Sequence, residues 1–263
     1  MASNPPMDDS CLMAPLQLAG RLIMENGGET YRVEETVTRM GHAFGVTEVE
    51  SFAIPSGVFI SYRKQDGTVE TAVKRVRKGP IDLKKVDAVN AVSRRVESEH
   101  LSCEEALACL NEIAQAKPLV SKPLQMLAVA VSSGGWAVMF GGGWFDALFA
   151  TVFTFLVQIV TMLLEKFRVQ SLVPTLLGSF LATLLPMLLY HFTQMGQVEM
   201  MAAGCLMPLL PGLAMTNAVQ DAMRGDMVSG LSHGVSAILT AVLIASGALI
   251  ATAVSALITG GVL

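Results

Sequence analysis

Residues 145–164 read FDALFATVFTFLVQIVTMLL, and this stretch decides the class of the protein. Asp146 is its only charged residue, and we expect this carboxylate to be a solvated helix end. An α-helix of about 20 residues is about 30 Å long, which matches the hydrocarbon core of a bilayer. The stretch therefore predicts a transmembrane helix.

The composition divides the chain into two parts. Of the 263 residues, 52% are hydrophobic, and the mean hydropathy is +0.53. Residues 1–123 nevertheless contain 15 of the 18 Lys and Arg residues and 17 of the 22 Asp and Glu residues. We therefore predict an α-helical membrane protein in which a small α+β cytoplasmic domain, residues 1–123, precedes a transmembrane domain, residues 124–263.

The transmembrane domain is predicted to contain about five helices. The stretches long and apolar enough are residues 124–140, 145–164, 172–192, 200–219 and 228–258. Lys117, Lys122, Lys166, Arg168 and Arg224 all fall in connections on the same side of the resulting bundle. The positive-inside rule therefore places the amino-terminal domain in the cytoplasm and the carboxyl terminus on the far side.

The amino-terminal domain combines helical and strand patterns. Apolar residues recur with helical spacing at Leu12, Leu16, Ala19 and Ile23, and again at Val33, Val37, Met40 and Phe44. TEVESFAIP, GVFISYRK and TVETAVKRV alternate like strands of a small meander. Residues 82–99 and 102–116 are again helical, and Ser102 with Glu105 forms a capping-box signature.

The most polar motif of this domain is ENGGETYRVEETV, residues 25–37. Its charges are compatible with a solvated helix start in which Glu29, Arg32 and Glu35 form intrahelical ion pairs. The same density of charged and aromatic side chains could instead carry chemistry or dock a partner. The residues alone leave both interpretations open.

A second unusual segment is LMPLLPGLAMTNAVQDAMRGDMVSG, residues 206–230. Pro208, Pro211 and Gly212 predict an interrupted or kinked helix at membrane depth, and such broken backbone is how secondary transporters bind solutes. The alternative is a simple bend followed by a charged cytoplasmic loop in which Arg224 is neutralised by its neighbouring aspartates.

Polar residues follow the proline segment within a few helical turns. We expect Thr216 and Asn217 to orient a solute, with Gln220 nearby, and Asp221 or Asp226 to couple an ion, because ionisable residues near a membrane are functional by default. His233 is close enough along the chain to join this site. We expect it to lie outside the site.

Together these segments resemble the threonine/serine exporter family, in particular its split form. The resemblance rests on ENGGETYRVEETV, SSGGWAVMFGGGWFDA and PLLPGLAMTNAVQDAMRGDMVSG. It implies ion-driven secondary export of threonine, serine or a C4 dicarboxylate such as succinate across the bacterial inner membrane. It also implies a smaller all-membrane partner subunit and a periplasmic carboxyl terminus.

The resemblance also identifies site residues. The family's amino-terminal motif falls on Glu25, Asn26, Gly27, Gly28, Glu29, Thr30, Tyr31, Arg32 and Glu35. Its membrane motifs fall on Pro211, Gly212, Thr216, Asn217 and Ala218, and on Gly225, Asp226, Ser229 and Gly230. A basic residue often precedes the acid at Asp221 in this family, and this chain has Gln220 there, so its solute could differ.

Other functions are less well supported. MRGD lacks the first glycine of the aspartyl-protease GxGD pattern, and no HExxH motif is present, so we expect no enzyme activity. Cys103 and Cys109 lack CxxC spacing, and we expect no metal or cofactor. The cytoplasmic domain carries a net charge of about −2, which does not favour nucleic acid. The main alternative is a membrane-anchored docking or sensor subunit whose partner carries the solute, and the chain could also form homo-oligomers.

Overall fold

The computed structural model describes residues 11–64, 66–77, 79–118, 120–167 and 172–259. Residues 1–10 and Arg168, which entered the topology prediction, lie outside this part of the chain. The amino-terminal elements are α1 (Met13–Glu25), α2 (Thr30–Ala43), β1 (Val49–Ile54), β2 (Gly57–Arg63), β3 (Val69–Arg75), α3 (Leu83–Glu99) and α4 (Cys103–Gln115). The α+β composition predicted for this region is confirmed.

The core of this region is built from the predicted helix faces. Leu12, Leu16, Ala19 and Ile23 are buried, and so are Val33, Val37, Met40 and Phe44. Burying each large aliphatic side chain of such a face stabilises the fold by roughly 1.5–3 kcal/mol. Ser102 and Glu105 form the predicted capping box at the start of α4. Helical periodicity therefore gave both the elements and the sides that face inward.

The three strands form an antiparallel meander in the order β1-β2-β3. Ala53, Val58 and Ile60 are buried on its inner face, which packs against the first two helices. On the outer face Phe52 pairs with Phe59 across β1 and β2, and both rings are partly exposed. The strands therefore have the alternating burial that their sequence predicted.

The remaining helices are α5 (Lys122–Met139), α6 (Trp144–Lys166), α7 (Leu172–Thr193), α8 (Val198–Leu206), α9 (Gly212–Met223) and α10 (Met227–Thr259). Among the described residues, three helical stretches are long and apolar enough to cross a membrane: Trp144–Leu164, Leu172–Thr193 and Met227–Thr259. The count is four if the α8–α9 pair is one span. The 18-residue helix α5 is less apolar because Lys122, Pro123 and Gln125 lie at its start and Ser132 to Gly135 interrupt its hydrophobic run, so a fifth crossing stays a prediction.

The backbone is interrupted at the prolines of the fourth predicted span. Met207–Leu209 forms a single 3-10 turn after α8, and Leu210 adopts an extended conformation. The helical segments Val198–Leu209 and Gly212–Met223 differ in direction by 55°. Pro208 and Pro211 cannot donate backbone hydrogen bonds, which accounts for a break at this point.

The structure divides into two compact units whose boundaries do not simply follow chain order. The first contains the described residues up to Pro118 together with Thr216–His233, and the second contains the described residues of Leu119–Met215 and Gly234–Leu263. The end of α9 and the start of α10 therefore group with the amino-terminal helices and sheet.

In the second unit, glycines allow α5, α6 and α8 to pack closely. A Cβ atom added to Gly134 would lie 2.4 Å from the Thr151 hydroxyl, and one added to Gly204 would lie 2.6 Å from the Ser133 carbonyl oxygen. Both distances are too short for a side chain. Small residues at helix contacts are typical of membrane bundles, where packing takes the place of the hydrophobic effect.

The expectation that Asp146 is a solvated helix end was wrong. Its side chain is only 3% exposed. The backbone N–H of Gly143 donates to Oδ2 at 2.8 Å, and that of Gln197 donates to Oδ1 at 2.7 Å. The carboxylate joins the connection before α6 to the connection before α8, because those loops have backbone donors without helical partners.

Candidate functional site

The candidate site lies in the first unit, where the amino-terminal end of α2 meets the α9–α10 connection. The Thr30 hydroxyl oxygen lies 3.0 Å from Oδ1 of Asp221 and 3.0 Å from Oδ2 of Asp226. Thr30 belongs to the ENGGETYR motif, and the aspartates are more than 190 residues further along the chain. The two predicted functional segments therefore share one group of polar contacts, which we call the acid cluster: Thr30, Glu34, Asp221, Asp226 and His233.

Asp221 is the most enclosed member of the acid cluster. It is 1% exposed. Its Oδ1 contacts Thr30, and its Oδ2 lies 3.0 Å from Nδ1 of His233, which is itself 7% exposed. Buried carboxylates require such partners because losing hydration costs several kcal/mol per ion. The expectation that His233 lies outside the site was wrong.

Asp226 connects the acid cluster to the start of α10. Its Oδ1 accepts the backbone N–H of Ser229 at 3.2 Å, as a helix-capping aspartate does, and its Oδ2 contacts Thr30. The Ser229 hydroxyl in turn donates to the carbonyl oxygen of Ala53 at 3.3 Å. The first turn of α10 is thus attached to both α2 and the end of β1.

Glu34 supplies a third carboxyl, one helical turn after Thr30. Its Oε1 accepts the backbone N–H of Ala53 at 3.0 Å. Burial raises the pKa of Glu34 above its usual range, and the carboxylates of Asp226 and Asp221 add to the rise, while the hydrogen bond from Ala53 opposes it. Three acids therefore lie close enough to influence one another.

The geometry around Thr30 limits how protons can be arranged. A hydroxyl has one proton, so it can donate fully to one carboxylate at a time and must otherwise accept. When Thr30 donates to Asp221 it cannot also donate fully to Asp226, and the same holds the other way round.

The motif residues before Thr30 shape the α1–α2 turn. The Asn26 side-chain amide donates to the Leu22 carbonyl oxygen at 2.7 Å, and the Asn26 carbonyl accepts the Asp82 N–H. Gly27 has a φ of 88°, a conformation that favours glycine. A Cβ atom on Gly28 would lie 2.4 Å from the Ile23 side chain. Glu25 accepts the Gly79 N–H through its carbonyl oxygen.

The later motif residues lie on two sides of α2. Arg32 pairs with Glu29 at 2.8 Å, as the ion-pair interpretation predicted. Arg32 and Glu35 line a polar cavity of about 200 Å³ together with Arg39 and Arg94. Tyr31 lines the same cavity. Its ring is stacked against the guanidinium group of Arg224, with 3.5 Å between the Arg224 Cζ and the ring centroid.

The predicted solute residues fall in both units. Pro208, Pro211 and Gly212 belong to the second unit at the helix break, with Pro208 and Gly212 exposed and Pro211 half-buried. Thr216, Asn217 and Gln220 belong to the first unit. Asn217 is 5% exposed, Gln220 is half-buried, and Thr216 is exposed.

The contact between α9 and α10 depends on a residue identified by the resemblance. A Cβ atom on Gly230 would lie 3.0 Å from the Ala218 carbonyl oxygen and 3.0 Å from the Ala222 nitrogen. A side chain there would push the two helices apart. Within the described ranges, no group of three or more His, Cys, Asp or Glu residues has the arrangement of a metal site.

A comparison with known families covers most of the chain. The family model described as "Putative threonine/serine exporter" matches residues 16–255, which include both the motif helix and the acid cluster. The chain belongs to the threonine/serine exporter family. The match spans nearly all of the described residues, so the acid cluster is assembled from segments at the two ends of the family region.

Curated relatives of the family differ in their named solutes. The chain is 27% identical to the "Probable succinate transporter subunit YjjP" of Klebsiella aerogenes, over 83% of this chain and 84% of the relative. It is 25% identical to the protein of the same name from Escherichia coli, over 84% and 86% of the two chains. It is 24% identical to the "Threonine/serine exporter" of Corynebacterium glutamicum, covering 75% of this chain but only 45% of that longer protein. No solved structure matches the chain significantly.

Sequence reasoning missed two members of the acid cluster. Glu34 lies four residues after Thr30, so it occupies the same face of α2, and this spacing could have identified it. His233 follows Asp226 and Ser229 at intervals of three and four residues, which gives α10 one polar face in its first turns. These two spacings indicate a shared site only when it is known that α2 lies against the α9–α10 connection.

Proposed function

We propose that this chain is a subunit of a proton-coupled secondary exporter that moves small carboxylate-bearing solutes out across the inner membrane. The solutes are threonine and serine or a C4 dicarboxylate such as succinate, as the names of its relatives suggest. Five crossings, a cytoplasmic amino-terminal domain and a periplasmic carboxyl terminus complete the proposal. The observation that carries it is the Thr30 hydroxyl held 3.0 Å from two aspartates.

The proposed coupling proton is exchanged within the acid cluster. The carboxylate oxygens of Asp221 and Asp226 that face Thr30 lie no more than about 6 Å apart, because each is 3.0 Å from the same atom. Two like charges at that distance repel by about 3 kcal/mol at an effective dielectric constant near 20. Binding one proton relieves this repulsion, and losing it restores the repulsion, so protonation can favour one arrangement of the helices over another.

The proposed solute site uses the helix break and the polar residues that follow it. Pro211 and Gly212 open the backbone, while Thr216 and Asn217 hydrogen-bond the solute without the cost of a buried charge. Gln220 replaces the basic residue frequent in the family. These roles rest on sequence position and on the break observed after Met207–Leu209.

The proposed partner is the smaller all-membrane subunit of the split exporter pair. Two relatives are named as subunits of a transporter, which supports a second chain. The five proposed crossings in about 140 residues would also form a thin bundle with little room to enclose a solute. Mass measurement of the complex purified in mild detergent would detect the second subunit, and a transport-competent single chain would exclude it.

The alternative is a docking or sensor subunit whose partner carries the solute. This alternative predicts that only motif residues 25–36 affect flux. Because Thr30 shares the acid cluster with Asp221, a motif substitution cannot separate the two functions. Asn217→Ala can separate them, since Asn217 lies outside the motif and outside the cluster contacts.

The direct test is metabolite efflux from cells with and without the protein and its partner. Threonine, serine and succinate should be compared in the same strains at matched protein levels. We expect faster efflux of at least one of the three when both subunits are present. If none of the three changes, this chain does not export them and the proposal fails.

A further inference from the structure

The Tyr31 ring has two arginine neighbours, of which one is paired with a carboxylate and the other is not. The Arg32 guanidinium lies 5.9 Å from the ring centroid, and its Nε and Nη2 donate to the two carboxylate oxygens of Glu29 at 2.8 and 3.4 Å. The Arg224 guanidinium lies closer, at 3.5 Å. Within the described residues, Arg224 forms no ion pair with an acid, and its side chain is exposed.

Within the described residues the neighbouring aspartates form no ion pair with Arg224, and their carboxylate oxygens contact other groups. All four of their carboxylate oxygens already have partners: Thr30 and His233 for Asp221, and Thr30 and the Ser229 N–H for Asp226. The interpretation in which these aspartates pair with Arg224 is therefore wrong. The loop keeps a cation directly beside the proposed proton site.

Stacking on Tyr31 fixes the guanidinium plane but leaves its edge available. A cation over an aromatic face contributes about 0.5–1 kcal/mol at an exposed site and holds the side chain in one orientation. The N–H groups lie in the guanidinium plane, where they form a fork that matches a carboxylate. A ligand carboxylate could bind Arg224 as Glu29 binds Arg32.

We propose that Arg224, oriented by Tyr31, binds the carboxylate of the transported solute and selects for solutes that carry one. This inference rests on the proposed export function, and it assigns the recognition of the solute's charge to a residue other than the predicted Thr216, Asn217 and Gln220. The shared chemistry of threonine, serine and succinate is a carboxylate, so the same residue serves all three. The acid cluster binds the proton, and Arg224 binds the solute anion beside it.

The test measures transport in proteoliposomes that contain both subunits, with radiolabelled succinate and threonine as probes. Arg224→Lys keeps the positive charge, and therefore the loop charge that sets topology, but loses the planar fork and the stacked ring contact. We expect its KM to rise about tenfold with little change in maximal rate, because one bidentate contact is lost. Tyr31→Phe keeps the stacking ring and should retain the wild-type KM. Tyr31→Leu should raise the KM roughly two- to fivefold.

Lys166→Gln is the matched control. It removes another basic residue from a connection on the same predicted side, so a general effect of loop charge would change its KM as well. We expect no change in that variant. Equal KM values for wild type and Arg224→Lys, or an equal rise in Lys166→Gln, would overturn the assignment.

Solute binding to the purified complex separates failure of this inference from failure of the exporter function. Isothermal titration with succinate and with threonine gives a Kd without requiring flux, and Arg224→Lys should weaken it about tenfold. The methyl ester of threonine, which lacks the carboxylate, should not bind. If wild type binds the solutes but does not transport them, the exporter proposal fails, while Arg224 remains the carboxylate-binding residue provided that Arg224→Lys weakens binding. If the ester binds as tightly as threonine, or if neither solute binds the wild-type complex, the carboxylate site is refuted.

Discussion

Removing the Thr30 hydroxyl should loosen the helix that carries the exporter motif. Thr30→Val keeps the branched shape of the side chain but loses both 3.0 Å contacts, to Asp221 and to Asp226. A hydrogen bond to a charged group contributes about 1.5–3 kcal/mol. Because the hydroxyl has one proton, we count one such donated bond and not two. The predicted loss is about 2 kcal/mol.

Hydrogen exchange by mass spectrometry measures this loss locally. When exchange follows reversible opening, a loss of about 2 kcal/mol raises the opening constant roughly 30-fold, since 1.4 kcal/mol is a factor of ten. We expect this acceleration in peptides that cover α2, Thr30–Ala43. Peptides that cover α4, Cys103–Gln115, should show a much smaller change because that helix packs mainly against α1 and α3.

Thr30→Ser is the matched control, since it retains the hydroxyl at the same position of the helix. It should exchange at close to the wild-type rate. If the valine and serine variants exchange equally fast, the hydroxyl does not hold α2 to the aspartates. The argument that one proton is shared through Thr30 would then be refuted.

Three further predictions test other parts of the account. The pKa of Glu34 is higher in the folded state than its ordinary value of 4.5. Between these two values the unfolded state has released a proton that the folded state still holds. The free energy of unfolding should therefore fall as pH rises from about 4.5 to the raised pKa. In Glu34→Gln, thermal stability measured between pH 4.5 and 7.5 should no longer show this decrease. The same pH dependence in the variant and the wild type would contradict the prediction. Asn217→Ala should reduce flux several-fold while the complex stays assembled by mass measurement; unchanged flux at wild-type protein levels would return the residue to a packing role. A reporter active only outside the cytoplasm should work after Leu263 and fail within residues 64–67, and the opposite result would reverse the topology.

Local elements could be predicted because their signals lie within one segment. The spacing of Leu16, Ala19 and Ile23 specifies one helix face, and Ser102 with Glu105 specifies a helix start, whatever the rest of the fold is. The structure confirms both. The strands were predictable for the same reason, since alternation and turn residues lie next to each other in the chain.

The acid cluster could be predicted only in part because its partners are far apart in sequence. Asp221 and Asp226 were expected to be functional, yet nothing near them indicates that Thr30, 191 and 196 residues earlier, would contact both. His233 was excluded wrongly because its partner, Asp221, lies a full connection away on another helix. Family resemblance indicated which segments matter, while the structure showed that they meet.

The number of crossings illustrates a different limit. Length and hydropathy identify α6, α7 and α10 without difficulty. The helix α5 is long enough, but Lys122 and Gln125 at its start lower its hydropathy, and so do Ser133 and Gly134 at a close helix contact. Small and polar residues at helix–helix contacts lower the mean hydropathy of a helix that can still lie in a membrane. Hydropathy alone therefore cannot decide whether such a helix crosses the bilayer.

Proton-driven flux in proteoliposomes tests the central claim most directly. The purified two-subunit complex is reconstituted with wild-type chain or with Asp226→Asn, whose amide can still donate to the Thr30 hydroxyl but cannot release a proton. With the exported solute inside and an imposed pH gradient, wild-type efflux should increase with the gradient. Efflux by Asp226→Asn should be independent of the gradient. Equal dependence on the gradient in the two complexes would contradict the assignment of the acid cluster as the coupling site.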